Sequence, residues 1–171
     1  MSGDILELTP VQMDALREIG NVGAGNSATA LSQIINHRID MNVPQVSIVP
    51  LGDVPDLVGG PDVMVVGVFL RVYGSAPGNI LFLLPAESAF YLVDMLMGKK
   101  HGETKNLDFM DESALMEIGN ILAGAYLNAL FNLTKLSLLP SIPALAVDMA
   151  GAILSVVLIQ LGQMGDHALV I

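Results

Sequence analysis

The spacing of apolar residues along this chain predicts two long helices, one near the N-terminus and one in the second half. Thr9 is a good N-cap, Pro10 suits the first helical position, and Gln12 stands three residues after the cap. Apolar and small residues then keep helical spacing, which predicts a helix from Pro10 to about Ile35. Asp108 is the corresponding cap for a second helix, expected from about Phe109 to Leu133.

Outside these helices the hydrophobic pattern shortens to the period of strands. Strands are predicted at Arg38–Met41, Gln45–Pro50, Val63–Tyr73, Asn79–Leu84, near Leu136–Leu139, near Leu145–Asp148, at Ala152–Leu161 and at His167–Ile171. The third and fourth of these are expected to form one hairpin, and the last two another. Between the two halves, Ala86–Met97 is predicted to be an amphipathic helix and the polar stretch Gly98–Asn106 a linker.

The two long helices carry an internal repeat. Residues 16–25 read LREIGNVGAG and residues 115–124 read LMEIGNILAG, a constant offset of 99. Each copy has Asp or Ser, three residues, Glu, two residues, Asn, twenty-two residues and Pro. The first set is Asp14, Glu18, Asn21 and Pro44, and the second is Ser113, Glu117, Asn120 and Pro143. A repeat of this length sets the architecture. It predicts an α/β domain of pseudo-twofold symmetry, with two long helices packed on a single mostly antiparallel sheet.

Length and repeat together predict one domain. The 171 residues suit a single domain made of two repeats, at about 9–98 and 107–171. The first copy ends with a helix after its hairpin, whereas the second stops inside its last strand, at Ile171. The C-terminus is therefore expected to be truncated relative to the chain's relatives.

Composition and charge narrow the possible functions. A formal net charge of -10 argues against nucleic acid as a partner and suits one that presents positive charge. Cysteine is absent and His37, His101 and His167 lack ligand spacing, so no metal site is expected. No apolar run approaches the roughly 18 residues of a membrane span, and the N-terminus is unlike a secretory signal. The expected location is cytoplasmic, without membrane insertion.

The repeated polar residues form one stripe on each helix. At 100° per residue, Asp14, Glu18, Asn21 and Gly25 fall within about 60° of one another. A solvated helix face is the simpler interpretation of a Glu and an Asn at this spacing. Against it, both copies keep the pair, neither Glu has a Lys or Arg three or four residues away to form an intrahelical pair, and Asn is a mediocre helix-interior residue. The stripe is therefore a candidate site.

The residue types in each stripe limit the reactions that it could catalyse. An Asn amide donates and accepts hydrogen bonds, so it can hold a water in line with a labile phosphoryl group. A Glu can anchor a cationic side chain of the partner. Ser113 in place of Asp14 argues against a two-carboxylate hydrolase, and Asp14 in place of Ser113 excludes a shared serine nucleophile. The glycines Gly20, Gly23 and Gly119 and the prolines Pro44 and Pro143 are interpreted as structural.

The doubled pattern closely resembles the CheC/CheX/FliY family of bacterial chemotaxis phosphatases, over essentially the whole chain. The resemblance implies dephosphorylation of the phospho-aspartate of the response regulator CheY. It assigns the orientation of the attacking water to Asn21 and Asn120, and pairing with a CheY lysine to Glu18 and Glu117. It also implies that Mg²⁺ is held by CheY and not by this chain, and that CheD is a second partner.

Three further expectations follow. Asp148, a single charge in the otherwise apolar stretch Pro143–Leu154, is a candidate for the CheD-binding surface, although a strand-end Asp at a turn explains it equally well. The duplication favours a monomer. A non-catalytic docking protein and a component of a flagellar switch are the alternative functions.

Overall fold

The structure, a computed structural model, describes residues 8–39, 46–161 and 167–171. The helices are α1 (Pro10–Ile35), α2 (Ala86–Met97), α3 (Phe109–Thr134) and α4 (Ala150–Leu161), with a 3₁₀ helix at Leu51–Val58. The strands are β1 (Ser47–Pro50), β2 (Met64–Gly74), β3 (Gly78–Pro85), β4 (Leu138–Pro140), β5 (Ala144–Met149) and β6 (His167–Val170). The predicted α/β class is confirmed.

The two long helices begin and end at equivalent positions, as the repeat requires. Thr9 accepts a hydrogen bond from the Gln12 N–H, and the Gln12 side chain accepts one from the Thr9 N–H, which is a complete capping box. Asp108 caps α3 by accepting from the N–H groups of Met110 and Asp111 at 2.8 and 2.9 Å. Both helices have 26 residues. The predicted helix starts are confirmed.

The described strands form two antiparallel sheets instead of the single sheet expected. In the larger sheet β2 pairs with β3 on one side and with β4 and β5 on the other, and in the smaller sheet β1 pairs with β6. Each half contributes a strand to the sheet of the other half, β1 to β6 and β5 to β2, and the two pairings are equivalent. Ser47 pairs with Val170 in one sheet, and its counterpart in the repeat, Ala146, pairs with Gly67 in the other. Each half thus completes the sheet of the other, which gives the fold its pseudo-twofold symmetry.

The contact between α1 and α3 has the same symmetry. Gly23 lies against the ring of Tyr126, and the Ser27 hydroxyl donates to the Leu122 carbonyl at 2.9 Å. These two contacts are equivalent, because 23 and 122, like 27 and 126, differ by the repeat offset of 99. A groove of about 270 Å³ beside this contact is lined by four equivalent pairs: Asn26 with Ala125, Thr29 with Asn128, Ala30 with Ala129, and Gln33 with Asn132. The pseudo-twofold axis therefore passes between the two helices.

Two of the repeated glycines allow each long helix to approach its sheet. A Cβ on Gly119 would lie 2.6 Å from Val68 Cγ1, and a Cβ on Gly20 would lie 2.7 Å from Val46 Cγ2. Both distances are too short for a side chain at that position. The interpretation of these glycines as packing residues is confirmed.

The segment Ala152–Leu161 was expected to be a strand, and this prediction is wrong, because it lies in α4. Eight of its ten residues are apolar, so its pattern fits a buried strand and a buried helix equally well. The described buried side chains, Ala150, Ile153, Leu154 and Val157, follow helical spacing. Consequently the predicted strand at His167–Ile171 forms over His167–Val170 but pairs with β1.

Smaller differences concern the chain between α1 and β2. Arg38 and Ile39 are not in a strand, and the rest of that predicted strand lies outside the described residues, as does Pro44. The strand expected at Gln45–Pro50 forms over Ser47–Pro50. The 3₁₀ helix that follows was not predicted, since Pro55 lies inside it.

The core lies mainly beneath α3. Residues of α2, β2 and α3 form one buried cluster, Val66, Ala89, Leu92, Val93, Leu115 and Ile118. Seven residues of α3 are buried, but in α1 only Gly20 and Gly23 are. By length and apolarity α3 is also the one described helix that could cross a membrane. Its packing on β2 and against α1 shows that it is a core helix of this fold.

The predicted linker folds back as a compact turn between α2 and α3. The buried Asp94 accepts hydrogen bonds from the N–H groups of Gly102 and Thr104, at 2.7 and 3.0 Å. Lys99 Nζ pairs with the buried Asp111 carboxylate at 2.7 Å. Hydrogen bonding from Thr104 lowers the pKa of Asp94, and hydrogen bonding to Asp111 raises the pKa of Lys99. These contacts fix where α3 begins.

Candidate functional site

The structure places each predicted stripe on the outer flank of its helix. In α1 the side chains of Asp14 and Glu18 are exposed and Asn21 is half-buried. The stripe centre lies about 170° around the helix from Gly23 and Ser27, which face α3. Because α3 is related to α1 by the pseudo-twofold axis, the two stripes lie on opposite sides of the molecule.

The second stripe has the same pattern of exposure on α3. Ser113 and Glu117 are exposed and Asn120 is half-buried. The spacing therefore brings Glu and Asn together within each helix, in two separate sites. It does not bring the four residues into a single site.

Both glutamates are open to a partner. Within the described residues neither Glu18 nor Glu117 forms an ion pair or a side-chain hydrogen bond. Arg17, the cation next to Glu18 in the sequence, pairs instead with Asp14 at 3.2 Å. An exposed carboxylate without a local cation can pair with a basic side chain that another protein brings to it.

The Asn21 amide is held at the border between core and surface. Its Oδ1 atom is buried and has no hydrogen-bond partner within the described residues. Buried polar atoms are nearly always satisfied in folded proteins, so an unpaired amide oxygen on a helix flank suggests a function. Because the atom is buried, a water or a donor group of a partner can reach it only when the Asn21 side chain turns toward the surface.

The small residues beside the stripes leave room for such a partner. A Cβ on Gly124, one turn after Asn120, would meet no atom within 4 Å, so this glycine is not required by packing. In the first copy the stripe continues past Gly25 and Ala28 into a cavity of about 560 Å³, which Ser32 and His37 also line. No pattern in the sequence predicts this cavity, because the residues that line it form no chemical motif.

The residues proposed to support the motif are placed as follows. Asp14 and Ser113 occupy equivalent exposed positions at the start of each stripe. Pro143 directly precedes β5, as expected of a proline at the entry to a strand, whereas Pro44 lies outside the described residues.

Asp148 lies on an exposed edge of the larger sheet. It is in β5, opposite Val65 of β2, and its carboxylate accepts a hydrogen bond from the Met149 N–H at 2.7 Å. The side chain is exposed, as are those of Val147 and Met149. A partner could therefore contact the charged Asp148 side chain and the apolar side chains of Val147 and Met149 together.

The part of the chain that the structure describes contains no group of three or more His, Cys, Asp or Glu residues placed to hold a metal ion.

A duplicated helix with a Glu–Asn stripe, packed on antiparallel sheets to which both repeats contribute strands, defines a class of proteins, and comparison with known sequences identifies it. The CheC-like family matches at residues 11–48 and again at 110–146, so both copies are detected. The CheY-P phosphatase CheC of Bacillus subtilis is 46% identical over 162 residues, which is 94% of this chain and 78% of that protein. The chain belongs to the CheC-like family.

Solved structures share the fold. The crystal structure of Thermotoga maritima FliY matches with a TM-score of 0.70 and 27% identity, over 82% of this chain and 70% of that one. A chain of the CheX–CheY–BeF₃–Mg²⁺ complex from Borrelia burgdorferi matches with a TM-score of 0.52 and 17% identity, over 81% and 78% of the two chains. The latter likeness concerns the fold alone.

Proposed function

We propose that this chain is a phosphatase that hydrolyses the phospho-aspartate of the response regulator CheY, with one catalytic site on α1 and one on α3. The observation that carries the proposal is the pair of equivalent stripes, each with an unpaired exposed Glu and a half-buried Asn. The 46% identity to a CheY-P phosphatase supports the same activity.

The amides of Asn21 and Asn120 orient the attacking water. A phospho-aspartate is an acyl phosphate and is already activated, so hydrolysis needs a positioned water more than it needs covalent chemistry from the protein. Water attacks phosphorus, the bond from phosphorus to the aspartyl oxygen breaks, and inorganic phosphate and a free carboxylate result. The helix backbone and partial burial restrict the amide, which reduces the entropy lost in the transition state.

Glu18 and Glu117 anchor the partner. Each carboxylate pairs with the lysine beside the phosphoryl group of CheY and so sets the distance between the amide and the phosphorus. Mg²⁺, which this reaction needs to neutralise phosphoryl charge, is held by CheY and not by this chain. The net charge of -10 favours approach to a partner with a basic surface.

The decisive measurement is the decay of phosphorylated CheY with the wild-type chain and with the double variant Asn21→Ala/Asn120→Ala. We expect the double variant to bind CheY but to lose about a hundredfold or more of the acceleration, as when a single orienting group is removed from an active site. The matched control is Asn26→Ala/Asn132→Ala, because these two exposed Asn residues lie in the same helices but line the groove at the axis.

Each other outcome contradicts part of the proposal. If neither wild type nor double variant accelerates decay while both bind, the chain is a docking protein and the stripes are contact surfaces. If the control loses as much activity as the double variant, the stripes have no special role. High-mass assembly in light scattering would favour a component of a flagellar switch.

We further propose that the chain is a cytoplasmic monomer, a single domain with repeats at about 9–98 and 107–171, and that it binds CheD through a surface that includes Asp148. Asp148 is exposed at a sheet edge beside exposed apolar side chains. Asp148→Lys is expected to weaken CheD binding, whereas Glu87→Lys, the same charge change on the exposed face of α2, is not. Equal binding by both variants would remove Asp148 from that surface.

A further inference from the structure

Each stripe is preceded by an exposed apolar side chain near the N-terminus of its helix. Val11 of α1 is 78% exposed and Met110 of α3 is 59% exposed. The two positions are equivalent, because they differ by the repeat offset of 99. Since seven residues make almost two helical turns, Val11 lies within about 20° of Glu18 around the helix, and Met110 lies equally close to Glu117. An apolar side chain thus extends the exposed flank that carries each Glu.

The described core does not use these two side chains. Neither Val11 nor Met110 belongs to a buried cluster of the described residues. The start of each helix is fixed instead by its capping box and by the half-buried apolar residue before the cap, Leu8 or Leu107. A single exposed apolar residue is common on protein surfaces. The same choice at equivalent positions, in line with the Glu of both copies, favours a contact outside the chain.

A partner that is bound at a stripe also reaches the apolar side chain. Seven residues of helix span about 10 Å, and this distance separates Met110 from Glu117 along the axis. A specific interface covers about 800 Å² on each partner, which corresponds to a patch of about 16 Å radius. A protein whose active site lies against Glu117 and Asn120 therefore has Met110 within its contact area. The same holds for Val11 on α1.

The α3 stripe offers the larger apolar surface of the two. Phe109, which is 79% exposed, lies about 20° from Asn120 around the helix, and its counterpart in α1 is the smaller Pro10. Met110 is also longer and more adaptable than Val11. Aromatic and methionine side chains are enriched in protein interfaces. The α3 site is therefore expected to bind its partner more tightly than the α1 site.

We propose that Val11 and Met110 are anchor residues for CheY, each of which packs into an apolar patch of CheY about 10 Å from the lysine that pairs with the Glu of the stripe. The inference rests on the proposed function, because the occupant of each stripe is the phosphorylated CheY of that reaction. The anchors contact CheY away from the phosphoryl group. They stabilise the bound complex and the transition state equally, so they lower KM and leave kcat unchanged.

The test measures kcat and KM for phosphorylated CheY in chains that keep one active site. In the Asn21→Ala background, which leaves the α3 site, Met110→Ser is expected to raise KM about fivefold or more, because apolar surface is no longer buried in the complex. The kcat value should stay within about twofold, and Met110→Leu, which keeps the apolar volume, should keep the original KM. In the Asn120→Ala background, Val11→Ser should raise KM about threefold, since the side chain is smaller.

Leu133 in α3 and Ile34 in α1 provide matched controls. They are equivalent exposed apolar residues, at 50% and 39% exposure, and they lie about 160° around the helix from the Glu of their stripe. Leu133→Ser and Ile34→Ser should leave KM within about twofold in the same backgrounds. The anchor variants are expected to fold, because each changes an exposed side chain that takes no part in the capping box.

Binding provides a readout that does not depend on hydrolysis. CheY loaded with beryllofluoride and Mg²⁺, a stable mimic of the phosphorylated form, is titrated by calorimetry into the wild-type chain and into the double variant Val11→Ser/Met110→Ser. We expect the double variant to bind about fivefold more weakly or worse, and Ile34→Ser/Leu133→Ser to bind like the wild type.

The outcomes separate this inference from the proposed function. Unchanged KM and unchanged affinity in the anchor variants, with CheY still dephosphorylated, would overturn the anchors and leave the phosphatase activity standing. Equal weakening by the control variants would also overturn them, because the effect would then not belong to the flank of the stripe. Weaker binding by the anchor variants, in a chain that hydrolyses nothing, would support the anchors and contradict the catalysis.

Discussion

The helices α1 and α3 carry the same motif but differ in how they are held. Both have 26 residues, both begin with a capping box, and both present an exposed Glu and a half-buried Asn on the outer flank. Yet α3 buries seven residues, whereas α1 buries only two glycines. The candidate site is therefore duplicated, but the core beneath it is not.

The difference indicates what the candidate stripes need from the fold. A stripe at positions 18 and 21, or 117 and 120, needs a regular helix and one flank free of contacts. The stripe does not need a buried apolar cluster on the opposite side of its helix, because α1 carries the stripe with only two buried glycines. Substitutions in the stripes should therefore leave the stability of the fold largely unchanged, and substitutions in the core that do not unfold the chain should leave the activity of the stripes largely unchanged.

The largest expected effect is on stability, from truncation of a side chain that is buried in α3 but only half-buried at the equivalent position of α1. Leu115→Ala should lower the free energy of unfolding by about 2–5 kcal/mol, because Leu115 is 1% exposed and lies in the main cluster. Its counterpart Leu16 is half-buried, so Leu16→Ala should cost less than about 2 kcal/mol. Urea unfolding of the two variants checks this comparison, and equal losses would mean that α1 is packed as tightly as α3.

A second prediction concerns the turn between α2 and α3, for which α1 has no described counterpart. The pKa of Asp94 is lowered below its ordinary value of 3.8 by hydrogen bonds from Thr104 and its neighbours. A lowered folded-state pKa stabilises the fold fully above the ordinary value, and the contribution is lost as pH falls through the folded-state value. Stability should therefore fall below about pH 3.8, and less steeply for Asp94→Asn.

The measurement is urea unfolding of wild type and Asp94→Asn between pH 7 and pH 2.5. Glu87→Gln is the control, since Glu87 is an exposed carboxylate in the same helix. If the Asp94 variant keeps the whole acid dependence, the hydrogen bonds to Asp94 do not favour its charged form.

A third prediction tests whether the two sites act independently. Because the stripes lie on opposite flanks, Asn21→Ala and Asn120→Ala should each remove about half of the phosphatase activity, a twofold effect, if their contributions add. The rate of CheY dephosphorylation with each single variant checks this. Complete loss from either change alone would show that one site carries the reaction, or that the sites are coupled.

The sequence alone predicted the long helices, their caps and the hairpin of β2 and β3. Capping residues and strong periodicity act locally, so they can be recognised without knowledge of the fold. The repeat offset placed both stripes correctly on helices, since 100° per residue fixes which side chains share a face. The role of Gly20 and Gly119 also followed from their place on the inner face.

Other features depend on contacts between distant parts of the chain. The apolar segment that became α4 has no decisive period, and its helical form is accompanied by the Ala150 N–H bonding to the Val63 carbonyl. The pairing of β1 and β5 with strands of the opposite half likewise cannot be predicted from local sequence, because the residues of a strand do not specify its partner. The unpaired Asn21 Oδ1 depends on the packing around the helix, which the one-dimensional pattern does not contain.

The smallest expected effect comes from the one motif position at which the copies differ. Asp14→Ser gives the first stripe the residue of the second, and it removes only the Asp14–Arg17 pair at 3.2 Å. Exposed pairs of this kind contribute at most about 1 kcal/mol, so stability should change little. Activity of the α1 site, measured in an Asn120→Ala background, should stay within about twofold of its starting value if Glu and Asn suffice.

The reciprocal change, Ser113→Asp in an Asn21→Ala background, is the matched control. A large loss from Asp14→Ser alone would mean that the first site uses a second carboxylate, and the two stripes would then differ in mechanism as well as in packing.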